Sequence, residues 1–165
     1  MILDEIILNT DFHVSYVSST DDDPGLQKKH PKLKVFYVGS GVIRDFFFKN
    51  VETDFFICTT PDLDCSRFVR SKKTPIYIYV PHSIVSLHMI YNQHAFDNFD
   101  VICCVGPHHL EEVRQLESLN KSSKKQLLKF GYRHLKSTEN SKRATKTNSK
   151  RAFKTILIAP SWGEK

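Results

Sequence analysis

Two short runs of this chain are apolar at every position, and they limit what it can fold into more than any other feature. Ile76 to Val80 reads Ile-Tyr-Ile-Tyr-Val between Pro75 and Pro81, and Val101 to Val105 reads Val-Ile-Cys-Cys-Val between Asp100 and Gly106. A strand sends successive side chains to opposite faces, so a run without polar alternation must be covered on both. Antiparallel meanders with a wet face alternate; parallel sheets sandwiched by helices do not. Segments of helical spacing separate these runs, and strands alternate with helices through most of the chain. The pattern predicts an α/β fold: a Rossmann-like parallel sheet with helices on both faces.

Around those runs the other elements fall into place. Ile2, Leu3, Ile6 and Ile7 predict a short helix over residues 1–9. Phe12 to Val17 reads as a strand, and Asp21-Asp22-Asp23-Pro24-Gly25 as a turn. Lys34 to Val38 is a strand ending at Gly39, and Val42 to Lys49 a helix with Phe46, Phe47 and Phe48 as core candidates. Thr53 to Thr59 is a strand stopped by Thr60-Pro61-Asp62. Ser83 to Phe96 suits a helix. A second helix opens at Gly106-Pro107 and runs to about Leu119, with Leu110, Val113, Leu116 and Leu119 at helical spacing. Pro107 suits the first helical turn, where a missing N–H leaves no bond unmade.

The net charge of +6 is unevenly placed. Lys121 to Lys154 holds twelve Lys and Arg against one acid, Glu139, while the remainder holds twelve basic and seventeen acidic residues. The body is therefore mildly acidic, and the high isoelectric point does not by itself call for nucleic acid. Residues 136–153 contain almost nothing apolar and read as a basic flexible linker or insert. Thr155 to Pro160 then returns to a buried-strand pattern. The expected organisation is a Rossmann-like domain over 1–135, the linker over 136–153, and the first strand of a second domain over 154–165. No apolar run approaches the roughly 18 residues of a membrane span. The acidic N-terminus lacks the cationic region of a secretory signal, so a cytoplasmic protein is expected.

Several residues carry candidate chemistry. Gly39-Ser40-Gly41-Val42-Ile43-Arg44 follows a strand and opens a helix, but it lacks the third glycine of the dinucleotide fingerprint. A tight strand-to-helix turn with free amides is the simpler reading. His82, His88 and His94 are six residues apart, about 600° of helix, and so do not share a face. With His108 and His109 adjacent and diverging, no metal ligand set emerges. Cys58, Cys65, Cys103 and Cys104 form no C-x-x-C pair and read as reduced, buried thiols. Asp62 and Asp64 read as solvated turn residues. No G-x-S-x-G elbow or Walker A loop is present. His82 stands apart, because it follows a buried strand directly at its carboxyl end, where open α/β sheets bind ligands. An imidazole there, titrating near ~6.5 when unperturbed, can take a proton from an attacking hydroxyl or merely cap the next helix.

The order of motifs is similar to that of a known family. A strand ends in Pro81-His82-Ser83; Phe99-Asp100-Val101-Ile102 and Gly106-Pro107 follow; then Phe130-Gly131-Tyr132; then Lys154-Thr155-Ile156-Leu157-Ile158-Ala159-Pro160-Ser161-Trp162. Over roughly 30–165 this resembles the CDP-glycerol glycerophosphotransferases, the teichoic-acid polymerase type of GT-B transferase. There a strand ends in His-Gly, an F-D strand follows, G-Y-P closes the first domain, and I-L-Y-A-P-T-W opens the second. The resemblance implies that His82 is the general base that activates the acceptor hydroxyl. It places Ser83, Gly39, Ser40 and Gly41 on the substrate-binding side, and Ser161 and Trp162 on the phosphate and nucleotide side. It implies no cofactor and no metal. Ser83 departs from the family glycine, and Arg133 from the family proline.

The implied reaction is attack of a glycerol or sugar hydroxyl on an activated phosphate, with CMP leaving. The implied partners are CDP-glycerol or another nucleotide-activated donor, held by a second domain, and a lipid-linked or polymer acceptor. An anionic membrane surface is a further partner, by peripheral contact on the inner face of the plasma membrane. The chain opens at what reads as the first helix of such a domain and carries one strand of the second, so it is expected to be inactive alone. Two other readings share these residues. One is a sugar-nucleotide glycosyltransferase or UDP-sugar epimerase-like protein with the same layout. The other is a non-catalytic binding module whose Lys124, Lys125, Lys142, Arg143, Lys150 and Arg151 dock on anionic lipid or RNA. The core of that stretch, Lys136 to Arg151, lacks the interleaved aromatics that single-strand binding favours, which argues against nucleic acid.

Overall fold

A computed structural model describes residues 2–64, 68–74 and 76–132. The chain divides after Gly131 into two units, and every element below belongs to the first. The expected linker, the strand expected over Thr155 to Pro160, Ser161, Trp162 and Cys65 lie outside the described residues.

The elements run α1 (Ile2–Asn9), β1 (Val14–Ser18), a single 3₁₀ turn (Pro24–Gln27), β2 (Leu33–Tyr37), α2 (Val42–Asn50), β3 (Phe55–Cys58), β4 (Ile76–Tyr79), α3 (Leu87–Ile90), β5 (Val101–Cys104), α4 (Pro107–Asn120) and β6 (Gln126–Lys129). Every strand pairing is parallel. The α/β class with parallel sheets and helices therefore stands, consistent with a Rossmann-like arrangement. Among the described residues the strands form two sheets rather than the expected one: β1 pairs with β2, while β3-β4-β5-β6 lie in that order. Registers set Phe55 beside Ile76, Ile78 beside Val101, and Val101 beside Gln126.

Of the doubly apolar runs, β5 is covered on both faces, while β4 buries Tyr77 and Tyr79 and leaves Ile76 and Ile78 half-buried. All four residues of β5 are buried, and Cys103 and Cys104, on opposite faces, are both enclosed. The main core joins Leu63, Tyr77, Tyr79, Leu87, Phe96, Phe99, Ile102 and Val113. Tyr79 packs its ring on Phe96 and Phe99 at centroid distances of 5.0 and 5.4 Å.

Four expectations need correction. The helix expected over Ser83 to Phe96 is a single helical turn, α3. Backbone turns replace it beyond Tyr91, with Ala95 N–H on the Asn92 carbonyl (3.0 Å) and Asp97 N–H on the His94 carbonyl (3.2 Å). Side chains tie this stretch down in its turned form: Asn92 Nδ2 donates to Asp62, 30 residues away, and His94 Nδ1 pairs with Asp97. Phe46 is not core: α2 buries no residue, and Phe46 is 69% exposed while Phe48 packs on Phe56 and Phe68. Leu119 is 65% exposed, because α4 buries the stripe His109, Val113, Leu116 and Glu117 instead. The start of the basic segment is built structure: Gln126–Lys129 is strand β6, and Lys125 is 4% exposed with its ammonium on Ser122 Oγ and the Ser123 carbonyl. Lys125 is thus not available to dock on an anionic surface.

Candidate functional site at the carboxyl ends of the strands

In a parallel sheet every strand delivers its following loop to the same edge. Here β3 delivers Thr59 and Thr60, β4 delivers Pro81, His82 and Ser83, β5 delivers Gly106 and the start of α4, and β6 delivers Phe130 and Gly131. Backbone bonds tie these ends together. Val80 N–H donates to the Cys58 carbonyl (2.9 Å), and Phe130 N–H donates to the Cys104 carbonyl (2.9 Å).

Buried Pro81 ends β4 and turns the exposed His82 outward. Its Nδ1 lies 3.3 Å from the Thr59 carbonyl at the end of the neighbouring strand. A carbonyl oxygen only accepts, so this contact makes Nδ1 the protonated nitrogen and Nε2 the basic one. In the neutral ring this tautomer makes Nε2 the acceptor nitrogen, the role that proton transfer from a hydroxyl requires.

The segment after His82 is fastened to α4. Leu87 N–H donates to Glu112 Oε2 (2.7 Å), His88 Nε2 lies 2.9 Å from the Glu112 carbonyl, and His109 Nε2 lies 2.9 Å from the Val85 carbonyl. The α3 N-cap, Ser86, makes no side-chain capping bond, so the carboxylate of another helix serves its first amide. His108 is exposed and His109 fully buried, the divergence expected of neighbours, although their rings touch at 4.5 Å.

Other nucleophiles at this edge are quenched. Burial pushes the Cys58 thiol up to about 12, so it stays protonated at neutral pH, with its S–H on the Thr60 carbonyl. Asp62 and Asp64, both in the left-handed region at φ 63, are partnered turn residues: Asp62 accepts from Asn92 Nδ2, and Asp64 from the Arg70 backbone N–H. No group of three or more His, Cys, Asp or Glu side chains that could hold a metal ion occurs among the described residues.

Gly39, Ser40 and Gly41 follow β2, in the other sheet. Gly39 (φ 59) and Gly41 (φ 74) both adopt the left-handed region, which is why the turn into α2 needs glycine. The structure thus brings His82 and Ser83 together on the four-stranded sheet, with the glycine turn on the two-stranded one. Two surface hollows lie away from His82, one lined by Asp4, Ile7, Leu8, Lys28 and Leu33, the other by Glu52, Thr53, Asp54 and Lys73. His82 stands on an open edge. No described helix is long and apolar enough to cross a membrane.

Sequence reasoning missed Thr59, His109 and Glu112. Only His109 left a trace, since it stands at helical spacing from Val113 and Leu116. Compared with known proteins, the chain matches no family model, no curated sequence and no solved structure.

Proposed function

We propose that this chain is the acceptor-side part of a GT-B transferase that moves glycerol phosphate from CDP-glycerol to a hydroxyl of a cell-surface polymer or lipid-linked acceptor. The observation that supports this reading is His82: exposed at the carboxyl end of a parallel strand, with Nδ1 held by the Thr59 carbonyl. In this reading the acceptor hydroxyl lies against Nε2. Its oxygen attacks the phosphorus that bears the glycerol, and the bond from that phosphorus to the CMP oxygen breaks. CMP leaves with the electron pair, and the hydroxyl proton passes to Nε2. General-base help of this kind contributes about 10²–10⁴-fold.

Ser83, beside the base, is proposed to bind the acceptor, and Gly39, Ser40 and Gly41 to line its far side. The nucleotide falls to a second domain, with Ser161 and Trp162 on its phosphate side. The open edge at His82 suits one wall of an interdomain cleft, where such domains do their chemistry. The place of action is the cytoplasm, peripherally at the inner face of the plasma membrane, where a lipid-linked acceptor is presented.

The test is to supply the polypeptide, at the length its source cells make, with CDP-glycerol and a glycerol-phosphate-primed lipid acceptor. Release of CMP with growth of the acceptor is the expected result. Turnover of a UDP-sugar with release of UDP, and none of CDP-glycerol, replaces the reading with the sugar-nucleotide glycosyltransferase. No turnover of either, with salt-sensitive binding to anionic vesicles, replaces it with the binding module.

A further inference from the structure

We infer that His109 and Glu112 are positioning residues: from the first turns of α4 they hold residues 82–90, and with them the His82 imidazole. The inference rests on reading His82 as the base, but its test does not. Three hydrogen bonds join two segments 24 or 25 residues apart in the chain, and all three come from His109 or Glu112 on the α4 side. On the facing segment Ile84, Met89 and Ile90 are exposed, and Leu87 is buried in the core.

His109 is the member that can release the clamp. The Val85 carbonyl only accepts, so His109 Nε2 carries a proton in the clamped state. Nδ1 is then an acceptor, buried and without a hydrogen-bond partner. Protonation puts an N–H on that nitrogen with no acceptor to receive it, a cost that opening the segment to water relieves. The titratable groups around the ring are His108, in ring contact, and Glu112 on its own helix, and His88 on the facing segment. Burial holds the His109 pKa below its ordinary value, with the charge of His108 acting the same way and the Val85 bond and Glu112 opposing. His88 does not share this behaviour: its Nε2 also faces a carbonyl, but the residue is exposed, so a second N–H meets water.

The sign follows. A histidine whose folded pKa is depressed leaves the clamp intact at and above neutrality. The unfolded or opened state binds the extra proton first, so clamping weakens as pH falls below about 6.5.

The test is amide hydrogen exchange on the full chain, with Leu87 and His88 read against Ile102. From about pH 7.5 to about pH 5.5 the protection of Leu87 and His88 relative to Ile102 is expected to fall about tenfold. His109→Gln keeps a donor for Val85 without the titration and is expected to abolish that fall, whereas His88→Gln is expected to retain it. Wild-type protection that does not change over this range overturns the assignment. So does a response that survives in His109→Gln or disappears in His88→Gln. If His109→Gln does not fold, the imidazole nitrogen-15 spectrum of the wild type decides: an Nε2–H tautomer at neutral pH is expected, and an Nδ1–H tautomer overturns the clamp. None of these readouts needs turnover, so failure of the transferase reading and failure of the clamp remain separate results.

Discussion

In the four-stranded sheet Tyr79 and Ile102 are sealed from water, whereas in the two-stranded sheet Phe36 and Tyr37 are 42% and 57% exposed. Both sheets are parallel and both are rich in aromatic and β-branched residues. They differ in what covers them. Every member of the main core lies between Leu63 and Leu116, and α2 buries none of its residues. His82 projects from the sealed sheet, and the Gly39–Gly41 turn leaves the open one. The proposed base is therefore mounted on the half whose geometry is fixed by packing, which is where a group that must hold a proton-transfer distance belongs.

The contrast is open to attack by mutation, and the largest expected effect lies in the core. Ile102→Ala removes buried methyl groups from the middle strand and should cost about 2–5 kcal/mol, read from denaturant unfolding. A cost below 1 kcal/mol, by the same measure, would erase the distinction between the two halves.

Next comes Glu117, the carboxylate that joins α4 to β6. It accepts from Arg114 Nη1 at 2.6 and 2.8 Å and from the Lys125 backbone N–H at 2.7 Å. Burial raises its pKa, but the Lys125 amide and the Arg114 guanidinium together outweigh that and hold it below the ordinary value. Its contribution is therefore present above the unfolded value near ~4.3 and is lost as pH falls through the folded one. Glu117→Gln should cost about 1–3 kcal/mol at neutral pH and flatten the acid limb of the stability profile. An unchanged acid limb would place that proton uptake elsewhere.

A smaller gain is expected at Lys121, which ends α4 in the left-handed region at φ 50 and ψ 34. Lys121→Gly should stabilise by about 1 kcal/mol, measured as a rise in Tm, because glycine takes that conformation without a Cβ clash. The smallest effect belongs to the open half: Phe46→Ala should change stability by no more than about 0.5 kcal/mol. A loss comparable to that of Ile102→Ala would show that something covers α2 in solution.

How far the sequence could be read follows the same division. β4 and β5 were legible because they are apolar on both faces, and α1, α2 and α4 because their periodicity is clear. The buried face of α4 was legible only at Val113 and Leu116, because its other two buried residues, His109 and Glu117, are polar groups bonded to Val85, Arg114 and Lys125 outside the apolar pattern. β6 was hidden because an edge strand with one half-buried leucine looks like the basic tract around it. In the candidate site, His82 could be picked out from its place after a buried strand. The Thr59 carbonyl that orients it is 23 residues away, and no local pattern announces a backbone acceptor at that distance. The same holds for the Glu112 carboxylate, 25 residues from the amide that it caps.

The most direct measurement is CMP release from CDP-glycerol by the assembled enzyme, wild type against His82→Ala, with thermal unfolding of both. His82 is exposed, so its removal should leave the fold intact. A rate loss of about 10²–10⁴-fold at unchanged Tm is the predicted result. An equal rate in the two proteins would contradict His82 as the base.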